Sequence, residues 1–179
     1  MTQTYVALLR GINVGGNTKV EMKKLKILFE RMKFTDVSTY INSGNVLFRT
    51  NQPHETLATH IEKSIETEFG FPVRVVVRDK KQISEIVEQV PKIWTNDAAQ
   101  KTDVIFLCDD VNSPNVLEEI LTNPKVDQLS YMDGAIIWHI DHAHYNQSAM
   151  HKFIGTRIYK QMTARNINTV RKLRDLMAK

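Results

Sequence analysis

The stretch VSTYINSGNVLFR, residues 37–49, decides how the first half of the chain folds. Two short runs of strand formers flank Asn42, Ser43 and Gly44, and that trio is turn chemistry. Residues 37–41 and 45–49 are therefore expected as the two strands of a hairpin. Working backward, residues 4–9 form an apolar strand that ends at Gly11. Residues 21–32 then place Met22, Leu25, Leu28, Phe29 and Met32 at helical spacing. Working forward, Pro53 suits a first helical position, Leu57, Ile61 and Ile65 make a buried stripe, and Gly70 stops that helix. Residues 73–77 are a β-branched run. The order strand, helix, strand, strand, helix, strand is the split βαβ pattern.

The second half repeats the order without repeating the sequence. Asp79 is positioned to cap a helix carrying Ile83, Ile86, Val87 and Val90, which Pro91 ends. A polar connection leads to a strand at 104–108. Ser113 and Pro114 read as the cap and first turn of a helix with Leu117, Ile120 and Leu121 on one face. Residues 128–132 and 135–140 flank Asp133-Gly134, a strong hairpin signal. A helix over 148–159 is expected to bury Met150, Phe153, Ile154 and Ile158, followed by a short last strand at 162–165. Asn166 caps a final helix that buries Ile167, Val170, Leu173 and Met177. The expected class is α+β: two successive small ferredoxin-like (split βαβ, alpha-beta plait) units with antiparallel sheets. The expected boundaries are 1–79 and 80–179, the second unit ending in a basic helix. Two four-stranded sheets result if 162–165 pairs, and one of four and one of three if it does not.

The 179 residues are 42% hydrophobic and 25% charged, which suits a folded chain with a real core. No apolar run approaches the roughly 18 to 20 residues a membrane helix needs, and the N-terminus lacks the basic start and cleavage site of a signal peptide. The lone cysteine, Cys108, excludes an internal disulfide. A soluble cytoplasmic protein is expected. The net charge of +4 is unevenly spread: residues 150–179 carry eight Lys or Arg against one acid, Asp175. Such a basic segment on a mildly acidic body hints at an anionic partner.

Three stretches hold the candidate site residues. In LLRGINVGGNTKV, residues 8–20, Arg10 offers a planar fork for a phosphate or carboxylate, and Gly11, Asn13, Gly15 and Gly16 form a loop whose N–H groups are able to turn toward an anion. The loop matches neither GxxxxGK[ST] nor GxGxxG. In the hairpin, Asn42, Ser43 and Asn45 lie where strand three begins; if strands one and three run antiparallel, they meet Arg10 and Asn13 at one end of the sheet. In TARNINTVRKL, residues 163–173, Thr163, Arg165, Asn166, Asn168 and Thr169 stand at a helix start, where free N–H groups favour an anion. Four histidines, His139, His142, His144 and His151, cluster with Asp141, but the segment 139–151 lacks HExxH or CxxC spacing, so no metal is expected. Cys108 is expected to be a buried, inert thiol.

Together and in this order, ALLRGINVGGNTKVEMKKL, TYINSGNVLF and TARNINTVRKL resemble the uncharacterised bacterial family known as domain of unknown function 1697. The resemblance implies two small ferredoxin-like units and leaves the activity open. Two departures stand out. Ile167 occupies a place where the resemblance implies an aromatic residue, and HIDHAHYNQSAMH is richer in histidine than the family tends to be.

Inside these motifs there is no His or Cys, and Glu21 is the only carboxylate. General acid–base work calls for a His or a tuned carboxylate. The inventory thus suits holding a polar anionic group: a binding module for a phosphate-bearing ligand, either nucleic acid or a nucleotide, with no cofactor. The alternatives are an enzyme acting on a phosphorylated small molecule and a structural oligomer without a ligand. Strands one and three offer only Tyr5 and Phe48 as aromatic platforms, which counts against base stacking on the sheet.

Overall fold

The computed structural model describes residues 2–15 and 18–179. Its backbone divides into two compact units, one of residues 1–81 with 175–179 and one of residues 82–174. Both are mixed α+β with a four-stranded antiparallel sheet.

In the first unit the elements run β1 (Gln3–Leu9), α1 (Met22–Arg31), β2 (Thr35–Tyr40), β3 (Asn45–Thr50), α2 (His54–Phe69) and β4 (Val75–Asp79), with sheet order β2-β3-β1-β4. The expected hairpin is β2–β3. β2 begins two residues early because a bulge between Thr35 and Ser38, with Asp36 at φ 51°, adds a residue without losing the pairing. α2 buries Leu57, Ile61 and Ile65 completely, four residues apart along one face. Each such side chain contributes roughly 1.5–3 kcal/mol on leaving water. Pro53 precedes the first helical residue, and Gly70 closes the helix in the left-handed region at φ 81°. Tyr5 and Phe48 stack at 5.8 Å, both buried in a core with Phe29 and Phe34, so neither is a platform for bases.

The second unit holds β5 (Gln100–Leu107), β6 (Gln128–Met132), β7 (Ala135–Asp141), α4 (Met150–Ile154) and β8 (Met162–Asn166), in sheet order β6-β7-β5-β8. α3 (Lys80–Gln89) precedes β5, and α5 (Ile167–Met177) follows β8. β8 pairs with β5, so the last strand is real and the second sheet has four strands. Two helices differ from expectation. The segment after Ser113 is a 3₁₀ turn, Pro114–Glu119, rather than an α-helix. Ile120 leaves it in an extended conformation, Leu121 is exposed, and Pro124 bars Asn123 from helical geometry, so too few residues remain to offset nucleation. The helix expected over 148–159 shrinks to α4. The Thr156 hydroxyl and N–H both donate to the Phe153 carbonyl, at 2.7 and 2.9 Å, taking the oxygen that the next helical turn would use. A 3₁₀ turn at Ile158–Gln161 follows, and Ile154 is exposed. Among the described residues, no helix is long and apolar enough to cross a membrane.

Candidate functional site

β1 and β3 run antiparallel with Leu8 opposite Asn45, so the loop after β1 and the turn before β3 share one end of the first sheet. The Leu9 N–H donates to the Gly44 carbonyl (2.8 Å) and the Arg10 N–H to that of Arg74 (2.9 Å), which brings Arg10 out of the sheet half-buried. Beyond it the chain closes on itself. Thr18 Oγ1 donates to the Gly11 carbonyl at 2.8 Å, and the Asn13 N–H to the Thr18 carbonyl at 2.9 Å. Gly11, Asn13 and Gly15 all adopt left-handed φ, of 65°, 56° and 71°.

Asn13 is the clasp. Its Nδ2 donates to the carbonyls of Val20 (3.0 Å) and Asn42 (2.9 Å), and its Oδ1 accepts the Val20 N–H (2.9 Å). Asn45 is fully buried and donates to the Tyr40 carbonyl (2.9 Å) and Ser43 Oγ (3.1 Å), closing the hairpin. Gly44 lies against Leu9 and Ile12; a Cβ there would stand 2.8 Å from each. The two motifs are thus interlocked, and the amides of Asn13 and Asn45 brace the loop and the turn. What remains open is a groove of about 620 Å³ lined by Asn13, Thr18, Lys19, Val20, Glu21, Met22, Lys23 and Asn42. Gly16 lies outside the described residues. Sequence reasoning did not single out Thr18 and Lys23, although both lie within the first motif, because neither residue type marks a site without its neighbours in space.

In the second unit, Thr163 and Arg165 are buried. The Arg165 guanidinium donates to Thr163 Oγ1 (2.9 Å) and to the Ala164 carbonyl (2.8 Å), and burial pushes its pKa down to about 10. Asn166 Oδ1 caps the last helix by accepting the Thr169 N–H at 2.9 Å; Thr169 itself is buried. Asn168 donates to the Asn96 carbonyl at 2.9 Å. This motif joins the last strand to the last helix through its own side chains.

The histidines disperse. His139 is buried, stacked flat on Trp94 at 4.2 Å, and shares a hydrogen bond of 2.8 Å with Thr102 Oγ1; burial lowers its pKa despite Asp141. His142, His144 and His151 are exposed. Among the described residues, no group of three or more His, Cys, Asp or Glu is placed to hold a metal ion. Cys108 is buried. The carboxylate that matters to this unit is one the motifs did not contain. Asp127, buried, accepts from Trp138 Nε1, Ser148 Oγ and the N–H groups of Asn123 and Ala149, at 2.6 to 3.0 Å. Burial acts to raise its pKa, but these four bonds outweigh it and hold the carboxyl below its ordinary range.

No curated protein matches the sequence. Among solved structures, the chain is similar to a conserved bacterial protein, SP0830, from Streptococcus pneumoniae. The two are 26% identical with a TM-score of 0.87 over 99% of each chain. The family model described as "Protein of unknown function (DUF1697)" matches residues 1–138, and the chain belongs to that family.

Proposed function

We propose that the first unit binds a phosphate-bearing ligand, a nucleotide or a nucleic acid, in the groove between the loop after β1 and the β2–β3 turn. The observation that carries this reading is the clasp of Asn13 on Val20 and Asn42, which fixes both walls of a groove carrying Lys19 and Lys23. The lining carboxylate, Glu21, pairs with Lys24 at 3.7 Å. Two ammonium groups on a preorganised backbone suit a phosphate. Arg10, Gly11, Gly15 and Ser43 belong to the same end of the sheet, as does Asn45, whose role is to hold the turn. The 163–169 motif is read as structural, since its arginine is buried. We read each unit as ferredoxin-like, with the boundary near residue 80; the strand order β2-β3-β1-β4, repeated as β6-β7-β5-β8, supports this. A buried lone cysteine accords with a cytoplasmic setting.

Binding of inorganic phosphate, ATP and a single-stranded RNA oligonucleotide at two salt concentrations tests the reading. The oligonucleotide should show a slope of log K against log salt of about −0.7 per phosphate contacted. Lys19→Gln with Lys23→Gln should flatten it by about 1 to 2. Arg171→Gln should leave it unchanged, because Arg171 does not line the groove. If none of the three probes binds at low salt, the reading is wrong.

A further inference from the structure

The two sheets correspond strand for strand. Leu9 donates to Gly44 as Leu107 donates to Gly134, and Tyr5 pairs with Asp79 as Asp103 pairs with Asn166. Counting along the strands, Tyr5 corresponds to Asp103 and Gln3 to Lys101. In the first unit this place is filled. The Tyr5 ring is 3% exposed, stacked on Phe48 and on His54 at 5.7 Å, and α2 runs for 16 residues. In the second unit α4 has only five residues, and the corresponding place is a cavity of about 310 Å³. That volume is at the small end for ligand pockets, about 300 Å³.

Its chemistry is divided. Ile105, Met150, Phe153 and Ala164 supply an apolar side, with Tyr159 beside them, and Asn96 and Asn166 add polar groups to the lining. At one end Lys101 Nζ stands 3.1 Å from Asp103 Oδ2, the side chains 27% and 14% exposed. Among the described residues these are the cavity's two charges, one of each sign. Burial acts to lower the Lys101 pKa, but Asp103 and the nearby Tyr145 and Tyr159 outweigh it, so the ammonium persists. A lone anion or cation would leave one member of this neutral pair facing a like charge. A zwitterion meets both, since the ammonium has three donors and the carboxylate about four acceptor sites.

We propose that this cavity of the second unit binds a free amino acid with an apolar or aromatic side chain. Its carboxylate lies on Lys101, its ammonium on Asp103, and its side chain between Ile105, Met150 and Phe153.

Calorimetry and thermal denaturation of the full chain with L-phenylalanine, phenethylamine and hydrocinnamate test this, since the two analogues each keep the ring and one charge. Phenylalanine should bind at a single site and raise the Tm. Each analogue should bind at least about tenfold more weakly, the scale of one lost hydrogen bond to a charged group. Lys101→Met should remove the preference for phenylalanine over phenethylamine, and Asp103→Asn the preference over hydrocinnamate. Ala164→Leu, which fills the cavity and keeps both charges, should abolish binding of all three. If phenylalanine gives neither heat nor a Tm shift, the proposal falls. It falls equally if the analogues match phenylalanine or if Ala164→Leu binds undiminished.

Discussion

Asn13 donates from its side-chain amide to the main-chain oxygen of Asn42, 2.9 Å away and 29 residues along the chain. This bond, with the two to Val20, ties a loop that has little regular structure to a turn at the end of a central strand. Asn13→Ala should lower stability by about 2–3 kcal/mol, because it strands backbone partners and replaces a side chain that tolerates left-handed φ with one that does not. Asn13→Gly relieves the second effect and should recover about 1 kcal/mol of the loss. Urea denaturation of the three proteins measures both quantities, and equal losses in the two variants would show that φ plays no part.

Gly44 and Gly15 both have positive φ, of 80° and 71°, but different surroundings. A Cβ at Gly44 meets Leu9 Cβ and Ile12 Cδ1 at 2.8 Å, while one at Gly15 meets nothing within 4 Å. Gly15→Ala should therefore cost only the conformational term, about 1–2 kcal/mol. Gly44→Ala should cost a further 1–3 kcal/mol or so for overpacking, since Leu9 Cβ is fixed by the strand it belongs to. Denaturant midpoints give the ranking directly.

Asp127 joins the start of β6, the Trp138 indole and the segment leading into α4. Asp127→Asn keeps the shape but sets an NH₂ group against donors, so a loss of about 2–4 kcal/mol is expected. Its carboxyl titrates lower in the folded chain than in the unfolded one. The stability it contributes is present above the ordinary aspartate value of about 3.9 and is lost as pH falls through the folded value. Against the variant, the wild type should lose its advantage in that acid window, as read by Tm against pH.

His139 acts at a higher pH. Buried against Trp94, it resists protonation when folded, whereas the unfolded chain takes up the proton near pH 6.5. Between the folded value and about 6.5 the unfolded state binds more protons, so stability rises with pH through that window and is complete above it. Acidification from pH 7 should lower the Tm before Asp127 titrates. Protonation of the stacked imidazole should also change Trp94 fluorescence with a midpoint below 6.5. His139→Gln should abolish both responses; a fluorescence step that survives the change would assign it to another group.

Much of the fold was legible along the chain because its signals are local. Asn42-Ser43-Gly44 and Asp133-Gly134 specify their hairpins within a few residues, since positive φ at Gly44 and Gly134 needs no distant partner. The apolar stripes of α1, α2 and α5 likewise follow from helical spacing alone. The segments at 113–121 and 148–159 carry comparable spacing yet close early, because helices that short depend on what they pack against. The roles of polar residues were legible least. Asn45 and Arg165 look like ligands by type, but the pairings Leu8–Asn45 and Val104–Arg165 fall inside the sheets, where both are buried. Lys101 and Asp103 stand in the polar first half of a strand expected only from residue 104, and they line a cavity together with residues of the five-residue α4. Turn and stripe were set by the sequence itself, since φ preference and side-chain period act over a few residues. Which amide braces a loop, which arginine is buried and which charges line a cavity were decided by tertiary pairing, which joins residues tens of positions apart.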